Sequence, residues 1–264
     1  MRLYYEIAVR AFRRATMYRI AYLAGIVTNS FFGALSCFVY AAVYGASGAH
    51  EVAGMRLSET ISYAWATQCM ISIGAGWIIS DIGQTIQTGD VVTDLMRPWS
   101  FYGYWLSRTL GERLFNLLFR GSLTYGVGMA LFGARIPTTA DLAWFVPAVL
   151  LAMVISFAFG FLVNLTAFWL IDSSGVLTIA NMLLAALSGF LLPLAFLPAP
   201  AQTIAAWLLF QAITSTPALI LTGKIGGDAA LRSLAVQAIW AIALSAMGLA
   251  LARAALRKTV TQGG

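Results

Sequence analysis

Apolar residues recur along the chain in two rhythms. From Leu3 to Ala15 they fall at three- and four-residue steps (Leu3, Tyr4, Ile7, Ala8, Ala11, Phe12, Ala15), while Arg2, Glu6, Arg10, Arg13 and Arg14 fill the remaining positions. That spacing is one face of a helix. It predicts an amphipathic helix over residues 1–19 lying in a membrane interface, with Arg10, Arg13 and Arg14 near anionic headgroups and Glu6 placed for an i,i+4 pair with Arg10. Beyond it come long apolar runs: residues 20–44, 59–80, 110–132, 142–171, 176–197 and 231–256. Each reaches the ~20 residues that cross ~30 Å of hydrocarbon as a helix. The first is much longer than the apolar core of a cleaved signal peptide, which predicts a retained span.

Backbone polar groups cannot stay unpaired in lipid, so the runs must be helices. None shows the alternation of an outer-membrane barrel. The expectation is therefore an all-α polytopic membrane protein with six transmembrane helices in a single domain. The 142–171 run is longer than a span requires and is expected to tilt, project or bend near Pro147. Residues 203–222 are apolar, but Thr214, Ser215, Thr216 and Pro217 interrupt them. Residues 202–213 alone would cover only ~18 Å as a helix. The segment 198–230 is thus predicted to hold a pair of short re-entrant helices in the outer leaflet, introduced by Pro193, Pro198 and Pro200. Trp65, Trp77, Trp99, Trp105, Trp144 and Trp207 fall near span ends, as interface anchors do. Ala246, Ala250 and Ala254, with Gly248 and Ala252 beside them, make a small-residue stripe suited to close helix packing, within the subunit or against a partner.

Composition agrees with this reading. Across 264 residues, 60% are hydrophobic and 10% charged, and the mean hydropathy is +0.83. A soluble domain carries about 25% charged residues, so a soluble enzyme, a disordered chain and a fibrous one are all excluded. The placement of charge sets the orientation. With the N-terminus inside, twelve of the sixteen Lys and Arg are cytoplasmic, leaving Arg56, Arg135, Lys224 and Arg232 outside. That bias puts both termini in the cytoplasm. Cys37 and Cys69 lie inside apolar runs and read as small buried hydrophobes, and the single histidine, His50, sits in a Gly/Ala loop. Neither a metal cluster nor a Ser-His-Asp triad has its parts.

Candidate chemistry concentrates in the hydrophilic connection 81–109. Asp81, Gln84, Thr85 and Thr88 alternate with Ile82, Ile86 and Val91 as in a short amphipathic helix ending near Gly89. On the residues alone this is either a solvated surface helix or a docking element that passes force from a soluble partner.

The run Gly89-Asp90, Asp94-Leu95, Arg97-Pro98 and Ser100, following the second of six spans, resembles the permease subunits of type-2 ABC exporters. In that group a segment of the form GxxDxLLxRPxS recurs. The tail Arg257-Lys258-Thr259-Val260-Thr261-Gln262-Gly263-Gly264 is similar to the basic ending of many such subunits, as are the N-terminal connecting helix and the Pro-rich re-entrant segment. Val91-Val92 departs from the pattern, where a more polar pair is common. The resemblance implies a permease that pairs with a second copy or a sister permease and binds two copies of a P-loop ATPase subunit. Its setting would be the bacterial plasma (inner) membrane, and its task the export of a lipid, drug or other amphipathic cargo. It implies that the loop carries a coupling helix with Gly89, Asp90, Asp94, Leu95, Arg97 and Pro98 near the ATPase, and that the turn at Asp172 makes a second contact. No nucleic-acid partner is implied.

The chain has no phosphate-binding loop of its own. Its only Gly-Lys, Gly223-Lys224, is followed by Ile225, and Ala218 stands where the first glycine of the motif belongs. No cofactor is expected on this chain, and ATP with Mg2+ would reside on the partner. An ion-gradient-driven secondary transporter or channel, or a membrane scaffold, are the alternatives. All ten acidic residues fall in connections or at helix ends, which weighs against a proton relay. Arg120, the one charge inside a span, is expected to snorkel to the cytoplasmic interface. Asn29, Gln68, Asn116, Asn164, Asn181 and Gln237 lie mid-span and can join helices by hydrogen bonds or line a path. Gln68 and Asn181 are the path candidates, since the second and fifth spans face the dimer axis in the resembling family.

Overall fold

The computed structural model describes residues 2–17, 19–74, 77–170 and 172–260. In chain order the helices are α1 (Arg2–Ala15), α2 (Arg19–Ser47), α3 (Leu57–Met70), α4 (Asp81–Gln87), α5 (Val91–Leu95), α6 (Phe101–Asn116), α7 (Ser122–Phe132), α8 (Thr139–Leu165), α9 (Ser174–Leu187), α10 (Ala199–Trp207), α11 (Leu209–Ile213), α12 (Ser215–Leu221) and α13 (Gly227–Val260). A two-residue hairpin, Glu51–Val52 against Met55–Arg56, is the only sheet among the described residues. This is an all-α membrane protein.

Three helical stretches among the described residues are long and apolar enough to cross a membrane: Ile20–Ser47, Thr139–Phe168 and Gly227–Ala255. The second and fifth apolar runs are helical over shorter lengths than the sequence predicts. The helix over α3 continues only as a 3-10 turn to Ile73, where Gly74 turns left-handed at φ 82° and ends it short of Ser80. Helix α9 stops at Leu187, and Gly189 (φ 80°) and Pro193 keep residues up to Leu197 from extending it. The third run is continuous from Phe101 to Phe132 through a π-helical stretch, Leu117–Gly121. Between residues 198 and 230 the chain forms three short helices, where the sequence predicts two. The third, α12, starts at the Thr214–Pro217 interruption, because proline is tolerated in a first helical turn.

Helix α8 is the hub. It starts on a capping box between Thr138 and Asp141, which exchange hydrogen bonds of 3.2 and 2.8 Å. Helix α13 packs along it, and α11 and α12 fold back onto it, so that Ala148, Ala152, Met153, Ile155, Ile213 and Ile220 are fully buried. Gln237 of α13 ties these layers by donating to the Ala148 and Ala212 carbonyls at 3.1 and 2.7 Å. On α13 the inward positions are Ala241, Leu244, Gly248, Ala252 and Ala255, while Ala246, Ala250 and Ala254 face outward.

Two expected interface anchors belong to the interior instead. Trp65 is fully buried between α2 and α7, and Trp105 is buried beside Phe101. Gly33 and Gly128 make room for the Trp65 indole: a Cβ on either would collide with its ring. A small residue facing a large one gives close packing with no void. Trp77 and Trp207 are exposed.

Helix α1 does not lie alone in the interface. It runs parallel to α6, with Tyr4 against Gly103, Ala8 against Gly111 and Phe12 edge-on to Phe115 at 5.3 Å. Among the described residues Glu6 forms no ion pair with Arg10.

Candidate functional site

The segment from Ile78 to Ser100 is built as a seated, two-helix element. Helix α4 carries Asp81 in its first turn, where the helix dipole favours a carboxylate, and buries Ile82 and Gly83. Its N-cap, Ser80, makes no side-chain cap. The role falls to Asn164 of α8, whose Oδ1 accepts from the Gly83 amide at 2.8 Å. The Asn164 amide group in turn donates to the carbonyls of Ile79 (3.0 Å) and Gly160 (2.7 Å). One buried asparagine therefore caps α4 from outside and fixes the extended segment leading into it. Asn181 of α9 adds a second tie, accepting from the Ile78 amide at 2.7 Å.

Gly89 closes α4 at φ 82°, a conformation open to glycine without steric cost. The Thr88 hydroxyl then donates to Asp90 at 2.8 Å, and α5 follows. Val91 is buried in a small apolar cluster with Ile82, Phe101, Trp105, Phe161 and Leu165, which seats α5 on α6 and α8. Around this anchor the element presents exposed Gln84, Asp90, Val92, Met96, Arg97 and Pro98. Met96 is 83% exposed, an apolar side chain left open in a polar turn. The Arg97 guanidinium lies over Trp99, 5.0 Å from the ring centroid, and Trp99 stacks on Tyr104 at 5.2 Å. The Leu95 side chain is outside the described residues.

Charges behind α5 fix its environment. Arg108 of α6 bridges Asp81 at 3.5 Å and Glu112 at 3.3 Å. Burial pushes the Asp94 carboxyl above its usual range, against the opposing pull of Arg97 and Arg108.

Asp172 lies beside this element. Its carboxylate accepts from the Ser174 amide at 2.8 Å and from the Ser174 hydroxyl at 2.9 Å, which holds its pKa below the ordinary value. Gln87 of α4 donates to the neighbouring Ser173 hydroxyl at 3.3 Å. The two segments border one groove of about 530 Å3 that also reaches Gln84 and Asn164. The structure thus brings α4 and the 172–174 turn together, though 86 positions separate Gln87 from Ser173.

The other candidates lie elsewhere. Gln68 is buried in α3, its main-chain carbonyl accepting from Asn29 at 3.4 Å and its side-chain oxygen unpartnered. Arg120 lies across Gly25 of α2 and donates to Asn29 at 2.9 Å. Arg10, Arg13 and Arg14 are exposed on α1. The sequence reading missed the depth of Arg113, which is buried and donates to the Met153 carbonyl at 2.9 Å. Of the basic tail 257–264, the backbone continues helix α13 to Val260, while the side chains of 257–260 and all of residues 261–264 are outside the described residues.

With the geometry in place, the comparison with known proteins is specific. The sequence profile of ABC-2 family transporter proteins matches residues 32–263. No curated protein and no solved structure matches the chain. The matched region takes in every helix from α3 to α13 together with the α4–α5 element, and the chain belongs to the ABC-2 family of transporter proteins, as a membrane subunit.

Proposed function

We propose that the chain is the permease half of an ATP-driven exporter in a bacterial plasma membrane, with α4, α5 and the 172–174 turn forming the seat of the ATPase. The observation that supports this is the construction of that surface: exposed Met96, Arg97 and Pro98 on a short element tied to the hub helix through Asn164. A rigid tie lets a displacement at the surface reach the hub without being lost in a flexible loop. Six crossings, by α2, α3, α6–α7, α8, α9 and α13, place both termini in the cytoplasm on the same face as α4. Two ATPase copies, carrying ATP and Mg2+, would sit below a pair of permeases, two copies of this chain or one with a sister. Gly89, Asp90, Asp94, Leu95, Arg97, Pro98 and Asp172 are the proposed coupling residues. ATP-driven closure below would switch the pair between inward- and outward-open states and move a lipid, drug or other amphipathic substrate outward.

Gln68 is the proposed path residue with a free acceptor. Asn181 would have to release the Ile78 amide to reach cargo. For the coupling surface, Asp94→Ala and Arg97→Ala are expected to cut transport and permease-stimulated ATP hydrolysis at least tenfold in proteoliposomes, with the helical content and unfolding midpoint retained. Wild-type transport in both variants would remove the surface from the mechanism.

A further inference from the structure

A second groove lies between α1 and the first half of α6, of about 1220 Å3. Arg2, Arg10 and Arg14 line its α1 wall at four- and eight-residue intervals, so they share one helix face. The opposite wall carries Trp99, Tyr104 and Arg108. Leu3, Ile7 and Ala11 contribute apolar surface beside the arginines.

The charges in this groove do not cancel. Two carboxylates border it, Glu6 and Glu112. Glu112 is engaged by Arg108, which Asp81 also holds. Among the described residues Arg2, Arg10 and Arg14 have no carboxylate within ion-pair distance, and Glu6 alone cannot neutralise three guanidiniums. The Trp99 indole N–H is buried with no hydrogen-bond partner.

An unneutralised arginine row beside an apolar wall, on a helix amphipathic enough to lie at the bilayer surface, fits one ligand chemistry well. A phosphodiester is an anion that accepts several guanidinium hydrogen bonds, and in a phospholipid it is joined to a glycerol and acyl chains that seek apolar surface. We infer that the α1–α6 groove is a binding site for the headgroup of an anionic phospholipid, with Arg10 and Arg14 as its main phosphate contacts and Leu3, Ile7 and Ala11 against the glycerol and upper acyl chain. Occupancy would pin α1 to α6 at the membrane surface. The site stands apart from the transport reading, since lipid binding at Arg10 and Arg14 is measured with no ATPase present.

The test is native mass spectrometry of the full-length chain released from detergent, titrated with palmitoyl-oleoyl phosphatidylglycerol or its phosphatidylcholine counterpart. One phosphatidylglycerol per chain is expected to bind at least tenfold more tightly than phosphatidylcholine. Arg10→Gln and Arg14→Gln should each weaken it several-fold. Arg13→Gln, on the same helix but outside the groove, should change it less than twofold. The unfolding midpoint of each variant without added lipid controls for folding. Equal binding of the two lipids would overturn the site, as would an equal loss in Arg13→Gln, which indicates general attraction to a basic helix. Displacement of phosphatidylglycerol by millimolar inorganic phosphate would also overturn it, as a free-anion site.

Discussion

Replacing Asn164 by leucine is expected to destabilise the protein by about 2–4 kcal/mol and to free α4 from the hub helix. The substitution keeps the branched shape of the side chain but strands the Gly83 amide and the Ile79 carbonyl, which have no other partner in their segment. A buried donor or acceptor left without its partner costs about 1–3 kcal/mol. The Gly160 carbonyl loses a bond as well, but it is already placed for the α8 ladder. Hydrogen exchange should locate the effect: amides of α4 lose protection well before those of α8. If α4 is the seat of the ATPase, the variant also binds ATPase while transporting poorly. Unchanged protection of α4 would show that Asn164 is not what caps it.

Gly111→Val should have the second large effect, at the contact between α1 and α6. A Cβ at this position would fall on the Ala8 carbonyl oxygen, which belongs to the backbone and cannot rotate aside. Overpacking of this kind costs about 1–3 kcal/mol when neighbours can adjust. Here the helix as a whole must move, so α1 is expected to detach with Phe12 leaving Phe115. Trypsin cleavage after Arg10, Arg13 and Arg14 then accelerates at least tenfold, the population change that about 1.4 kcal/mol produces. A cleavage rate like that of the wild type would mean that α1 is not held by this contact.

Both positions show where sequence reading stops. The apolar runs reveal a helical membrane protein, because the cost of unpaired backbone in lipid leaves few other solutions. The short amphipathic spacing from Asp81 and the positive φ of Gly89 are local, and the helix end they signal is visible in the chain. Asn164 is different. Its partners lie 81 and 85 positions away, and nothing near it distinguishes a cap for a distant helix from ordinary mid-span glue. Trp65 misleads for a related reason. Aromatic residues near span ends favour the interface as a class, yet Gly33 and Gly128, far apart in the chain, hollow out a core site for this one. Hydropathy also overestimates α3 and α9. It registers the apolar side chains up to Ser80 and Leu197, whereas Gly74 and Gly189 end both helices through backbone conformation. The proximity of the 172–174 turn to α4 follows from the family resemblance but not from the residues themselves.

The central claim is that an ABC ATPase seats on α4 and the 172–174 turn. It is tested most directly by purifying the full-length chain from native membranes after crosslinking through a single cysteine, introduced into a Cys37→Ala, Cys69→Ala background at Gln87→Cys or, at the hairpin between Val52 and Met55, at Ala53→Cys. The account predicts a P-loop ATPase subunit in near-stoichiometric amount, joined to the cysteine at position 87 and not to the one at 53. Repeated absence of an ATPase from intact preparations, or its attachment through position 53, would contradict the account.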